Sequence, residues 1–307
     1  LRVPDSEPNR VEFGGHAGRK GTDSGYPLVR IAALMVLPSH ILAAANFGSF
    51  DGTSEVELTR PLLDVIPGDS LTLLDRGFFG ASLLLGISSK PNRHWLVRGK
   101  SNMSVKLVRR LGPRDEIVQF KTSSQARKLD DKLPKTFQAR RIRYKRRGFD
   151  EVFLLTSLHD PAAYPRDEVI ALYHQRWEIE LGYDEIKTEL LEREECIRSQ
   201  KPDGVRQEIW GILLAYNLVR VEIEVIARQA KVPPARISFL ESLRLIRDEW
   251  MWLAIANAGT LPKRLIDLRA SIKRYVLPER RPKRRFPRAV KLKMSNYDRK
   301  RPKSQLK

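Results

Sequence analysis

Cysteine is nearly absent from this chain: Cys196 stands alone among 307 residues. A single cysteine excludes an intrachain disulfide and disfavours any cysteine-based zinc site. Long apolar runs are also missing. No stretch approaches the 18 or more consecutive apolar residues of a membrane-spanning helix, so no membrane partner is expected. The opening residues, LRVPDSEPNR, are polar and do not read as a secretory signal peptide. They start at Leu1 rather than Met, which suggests a fragment, a processed chain or a trimmed one. Acidic residues are scarce beside basic ones. The 57 Lys and Arg against 37 Asp and Glu give a formal net charge of +20 and a pI near 10.2. That surplus predicts a polyanionic partner, nucleic acid being the usual one. No internal repeat is visible.

At this length the chain can bury a sizeable core, in one large or two moderate domains. The charge is unevenly spread. Residues 91–149 hold 18 Lys and Arg against 4 Asp and Glu, and residues 279–307 hold 13 against 2, leaving −5 for the remainder. A slightly acidic body therefore carries two basic modules. Residues 1–27 read as loop. YPLVRIAALMV (26–36) and residues 40–46 read as a strand hairpin turning at Pro38-Ser39. Residues 55–65 suggest a short helix, SLTLLD (70–75) a strand, and FFGASLLLGISS (78–89) a helix. Between residues 91 and 160, RHWLVRG, SVKLVRRL, EIVQFKT, FQARRIRYKRR and EVFLLTSL are short β-favouring runs separated by breaks. The alternation in FQARRIRYK predicts strands with a basic, solvent-facing side. The surplus there suits a polyanion, although a solvated basic sheet without a partner has the same composition. Trp95, Phe120 and Tyr144 are either stacking platforms for an unpaired base or, as is commoner for single aromatics, core. Residues 209–226 are amphipathic. Pro233-Pro234 separates them from helical patterns at 235–247 and 249–256, which read as structural support.

The most informative stretch is YHQRWEIELGYDEIK, residues 173–187. On one continuous helix Tyr173, Arg176, Glu180 and Lys187 would fall within about 60° of one another. Leu172, Ile179, Tyr183, Ile186 and Leu190 would form an apolar stripe beside them. A carboxylate suits a hard metal ion, and Arg and Lys suit phosphate oxygens. The bland alternative is a surface Arg176–Glu180 pair with a solvated Lys187. Asp75 has a similar ambiguity. An acid at the carboxyl end of a buried strand is well placed for chemistry, yet Asp also starts turns through its own side chain.

The spacing Tyr-x2-Arg-x3-Glu-x6-Lys resembles, without a gap, the signature of DDE transposases of the bacterial insertion-sequence-four type. LLDRGFFG resembles the context of that family's second catalytic Asp. Residues 215–220, AYNLVR, resemble its AYNLxR segment, and RRFPRAVKLKMSNYDRKRP its C-terminus. The resemblance implies an α/β fold, an RNase H-like catalytic core interrupted by an antiparallel β insertion and followed by C-terminal helices and a basic tail. The corresponding boundaries are 1–90 and 161–278 for the core, 91–160 for the insertion, which helps grip the transposon end, and 279–307 for a tail disordered without DNA. It implies metal-dependent cleavage and strand transfer of DNA at transposon ends. Asp75 and Glu180 would be catalytic metal ligands for two Mg²⁺ ions, with Mn²⁺ able to substitute, and Tyr173, Arg176 and Lys187 would hold DNA phosphates. The expected partners are transposon ends, target DNA and a second copy in a synaptic homodimer, in the bacterial cytoplasm at the nucleoid. The first catalytic Asp belongs to an Asp-Gly-Thr motif expected upstream of Leu1. Asp5 lies too late, and Asp51-Gly52-Thr53 reads first as a turn. The competing expectation is a DNA-binding remnant without a complete catalytic site.

Overall fold

Two apolar runs separated by a Pro-Ser turn begin the structure, a computed structural model that describes residues 1–14, 25–100, 102–145, 150–192 and 197–279. The expectations for the basic tail beyond Glu279 and for Cys196 lie outside the described residues. The chain divides into two units, one made of residues 1–54 with 179 onward, the other of residues 55–178.

In the first unit the hairpin forms as expected. β1 (Val29–Val36) pairs antiparallel with β2 (Ile41–Ser49), with a bulge between Leu34 and Met35. His40 ends the turn at φ 60°, a left-handed conformation that a non-glycine residue adopts only where its surroundings hold it. Ahead of the hairpin, α1 (Glu7–Phe13) replaces part of the loop expected over 1–27. Ser6 caps it by accepting from the Asn9 amide, and Phe13 is buried. A pattern this short is masked in sequence by the surrounding Pro, Asn and charge.

The long helix α7 (Pro202–Ala230) presents Ile209, Leu213, Tyr216, Ile223 and Ile226 to a core shared with Val29 and Leu42. Asn217 locks it to β2 as a strand would. Its side-chain amide accepts from the Leu42 N–H and donates to the Leu42 carbonyl, each at 2.9 Å. The two helical patterns expected after Pro233-Pro234 merge into α8 (Phe239–Leu253), capped by Ser238. It is followed by α9 (Leu261–Ile272), which sequence patterning did not indicate.

The second unit is a six-stranded mixed sheet. β3 (Ser70–Leu74), β4 (Arg93–Arg98), β5 (Lys106–Gly112), β6 (Asp115–Lys121), β7 (Thr136–Tyr144) and β8 (Val152–Thr156) lie in the order β3-β4-β8-β7-β6-β5. β3 and β4 are parallel, joined through α3 (Ala81–Ile87), and every other pairing is antiparallel. All five strands expected between residues 91 and 160 are present. They continue the sheet that begins with β3 rather than forming a sheet of their own. Preceding them, α2 (Glu55–Thr59) runs into a 3₁₀ turn over Arg60–Val65. A short α4 (Ser124–Leu129) links β6 to β7.

Of the two readings of this sheet's aromatics the core one holds, and the expectation of a basic face on β7 is corrected. Trp95 is 1 % exposed and Phe120 stacks on Phe137 with ring centroids 5.3 Å apart, so both are core and neither is a platform for a base. Tyr144 packs beside the buried Leu96, Ile142 and Leu154. The arginines of β7 do not form a free basic face either. Arg140 is fully buried against Asp115, and Arg141 and Arg143 both pair with Glu116.

Candidate functional site

β3 ends where the apolar run SLTLL meets Asp75, and the acid stops the strand. Asp75 accepts from the Arg76 amide at 2.7 Å and caps a single 3₁₀ turn, Arg76–Phe78. The turn-starting role considered for this acid is therefore real. It leaves Asp75 exposed at the carboxyl end of the strand.

α5 (Arg166–His174) packs Val169 and Tyr173 onto the sheet against Leu96, Ile142 and Leu154. Tyr173 is only 6 % exposed, whereas Leu172 is 39 % exposed. The assignment of Leu172 to the apolar stripe and of Tyr173 to the polar edge is thus reversed. The Tyr173 hydroxyl donates to the Leu74 carbonyl at 3.5 Å, one residue before Asp75. Burial pushes the phenol above its ordinary pKa, Arg176 opposes this and Asp75 adds to it, so Tyr173 remains a neutral donor at physiological pH. The Arg176 guanidinium lies 6.0 Å from the Tyr173 ring centroid, within cation–π range. Asp75, Tyr173 and Arg176 are therefore gathered in the second unit.

The continuous helix expected over 173–187 is interrupted. α5 ends in tight turns, with the Gln175 amide on the Leu172 carbonyl and the Arg176 amide on Tyr173. α6 (Trp177–Asp184) follows, and Glu185–Leu190 then widens into a π-helix. The estimate that four residues share one face assumed constant rotation, and the breaks remove that assumption. Glu180 on α6 and Lys187 on the π-helix are both exposed and belong to the first unit. Ile186, between them, is buried, and Leu190 packs on the core.

Residues that sequence reasoning passed over surround this π-helix. Glu185 is bound by Arg220 and Tyr216, both within AYNLVR, with His40 close by. The one available signal was that segment's Tyr and Arg on the buried face of an amphipathic helix. Of the acids set aside, Asp5 accepts two hydrogen bonds from Arg10, at 2.5 and 2.7 Å, as an ordinary exposed ion pair. Asp51-Gly52 forms the turn expected, with the Gly52 amide on the Ser49 hydroxyl.

Exposed carboxylate oxygens such as those of Asp75 and Glu180 match the preference of Mg²⁺ for hard oxygen donors. Among the described residues, no group of three or more His, Cys, Asp and Glu side chains is placed to hold a metal ion. Also among them, no helix is long and apolar enough to cross a membrane.

The family follows from comparison with known proteins. A family model described as "Transposase DDE domain" matches residues 2–218. The chain belongs to the DDE transposase family, of the insertion-sequence-four type. It is 39% identical over 294 residues to "Transposase InsG for insertion sequence element IS4" of Escherichia coli (strain K12), an alignment covering 94% of this chain and 65% of that protein. The chain thus spans just under two thirds of that relative's length. It is also 35% identical over 109 residues to "Putative transposase InsZ" of the same organism, covering 35% of this chain and 36% of that one. A solved structure, "Cryo-EM structure of piggyBac transposase synaptic complex with hairpin DNA (SNHP)", aligns over 88% of this chain and 56% of that chain at 12% identity. Its TM-score is 0.43, too low to bear on fold or site.

Proposed function

We propose that this chain carries strand-cleaving and strand-joining chemistry at the DNA ends of an insertion element, on an RNase H-like core. The observation that carries this is the ungapped Tyr173–Arg176–Glu180–Lys187 signature in a chain of the DDE family, together with an exposed acid, Asp75, at the carboxyl end of β3. Asp75 and Glu180 each supply a carboxylate toward divalent ions, Mg²⁺ in the cell and Mn²⁺ as a substitute. Bound there, such ions would activate water or a 3′-hydroxyl and stabilise the leaving oxygen of a phosphodiester.

The protein's own groups then have distinct tasks. Arg176 and Lys187 hold phosphate oxygens, Arg through paired donors and Lys as a point charge. Tyr173, being buried with its hydroxyl on the Leu74 carbonyl, supports the strand end that presents Asp75 more readily than it grips DNA. The strands of residues 91–160, read as an insertion in that core, grip the transposon end through those of their cations that face solvent. The protein acts as a homodimer that brings two ends together, at the bacterial nucleoid.

Substitution of Glu180 tests this. In the full-length protein Glu180→Gln is expected to abolish metal-dependent cleavage of an end-bearing duplex while leaving DNA binding intact. Undiminished cleavage would remove Glu180 from the metal site. Binding by a wild-type protein that never cleaves, with either Mg²⁺ or Mn²⁺, would instead support a DNA-binding remnant.

A further inference from the structure

The head of the π-helix is held by a buried polar cluster that the cleavage chemistry does not use. The Glu185 carboxylate accepts from the Arg220 guanidinium and, at 2.9 Å, from the Tyr216 hydroxyl, while His40 Nδ1 lies 3.6 Å away. Arg220 Nη2 also reaches His40 Nδ1 at 3.0 Å, and Arg220 Nε donates to the Tyr216 hydroxyl at 3.3 Å. Arginine only donates, so in that contact His40 Nδ1 is the acceptor. His40, Tyr216 and Arg220 are each 2 % exposed or less. Phe239 and Tyr216 flank the guanidinium, with ring centroids 5.0 and 5.7 Å away. A charge this deep in an apolar core is tolerated only if it is paired, and Glu185 is its anion.

The cluster sits at a change of helical pitch. Glu185 lies between Glu180 and Lys187, at the point where α6 becomes a π-helix closed by the Leu191 amide on the Ile186 carbonyl at 3.0 Å. Such i→i+5 turns are rare and occur frequently at functional sites. On the α6 side, Gly182 is buried where a Cβ would lie 2.9 Å from Met35 Sδ and 3.2 Å from the Tyr216 hydroxyl. Tyr216 therefore contacts the segment on both sides of the change in pitch. Loss of the clamp on Glu185 would free the segment to relax toward ordinary α-helical spacing, which would turn Lys187 relative to Glu180.

We propose that Glu185, clamped by Arg220, Tyr216 and His40, is a positioning residue that sets the register between Glu180 and Lys187 and so aligns the metal-binding carboxylate with the phosphate-holding ammonium. This rests on the roles given above to those two residues.

The test uses the full-length protein with Glu185→Gln, and with Tyr216→Phe as a milder change that keeps the ring. DNA binding, single-turnover Mg²⁺-dependent cleavage and hydrogen exchange at the Leu191 amide are measured. Both variants are expected to bind end DNA within about twofold of wild type and to cleave about 10- to 100-fold more slowly, as for lost supporting contacts around a metal site. Leu191 should exchange faster in both. Combining Glu185→Gln with Lys187→Ala should slow cleavage no further than the slower single change, because Glu185 acts through Lys187. Unchanged cleavage with unchanged Leu191 protection overturns the proposal, as do multiplying losses in the double variant, the mark of general destabilisation. If Glu180→Gln cleaves normally, the metal-site assignment has failed instead, and Leu191 exchange still decides whether the cluster holds the π-helix.

Discussion

Arg140 is the residue whose environment departs furthest from its sequence context. It lies within FQARRIRYK, a run that reads as a strand with a basic, solvent-facing side. In the structure it is fully buried, and its guanidinium forms a two-pronged pair with Asp115 at 2.8 and 2.5 Å. Its remaining Nη1 donates to the Tyr164 carbonyl at 2.7 Å, which ties the loop before α5 to the sheet. The pair is legible only once β6 and β7 are aligned, because the two residues are 25 positions apart and neither one's spacing announces the other. Removing a single partner of a buried ion pair strands the other charge, at a cost of about 3–5 kcal/mol. Asp115→Ala should therefore lower unfolding stability by that amount in urea denaturation. Asp115→Asn, which keeps one acceptor, should lose less. A loss below about 1 kcal/mol for the alanine variant would mean that Arg140 finds water once Asp115 is gone.

Elements were read well wherever local chemistry alone decides them. The five strands between residues 91 and 160 follow from β-branched and aromatic runs broken by Pro, Gly and Asn, and the β1–β2 hairpin from two apolar runs about a turn. The signature helix was misjudged because its breaks have a tertiary origin. Tyr173 turns inward onto the sheet, and Glu185 is held by Arg220 from another helix, so rotation per residue changes twice where the sequence shows continuous helix formers. Asp75, Glu180 and Lys187 are legible as exposed polar positions, whereas the cluster around Glu185 is not, since His40, Glu185, Tyr216 and Arg220 share no local pattern. A pH dependence follows for this element. Burial alone would raise the Glu185 pKa, but His40 beside it and the charge and hydrogen bond of Arg220 outweigh it and hold the carboxyl below its usual 4.5. A depressed folded-state pKa contributes stability above the unfolded value and loses it as pH falls through the folded one. The difference in unfolding free energy between wild type and Glu185→Gln should therefore be largest above about pH 5 and shrink as the solution is acidified below the unfolded pKa of a glutamate. A difference that grew on acidification would contradict the assigned pairing.

At the scale of the whole molecule, the +20 charge is less available than its sum implies. Within the basic stretch 91–149, Arg140, Arg141 and Arg143 are spent on Asp115 and Glu116, and Arg93 is buried with its guanidinium on the Leu63 carbonyl. The cations left facing solvent include Lys106, Arg109 and Arg110 on β5, exposed along with Leu107 and Val108. β5 is an edge strand, and its pairing with β6 is irregular at Leu107/Arg109 and again at Arg110/Gly112. Bulges and charges on an edge discourage another strand from adding there, which leaves the edge open to a phosphate backbone. Replacing Lys106, Arg109 and Arg110 together with Ala should weaken DNA binding alike on end and unrelated sequences, since phosphate contacts carry no sequence information. The slope of log K against log salt should become shallower by about one for each cation that touches a phosphate. Arg140, already neutralised inside the sheet, should contribute nothing to that slope, and any change on replacing it should appear as lost stability. If the triple variant kept wild-type affinity and slope, the β5 edge would lie off the DNA path, and the polyanion contact would have to come from cations elsewhere on the chain.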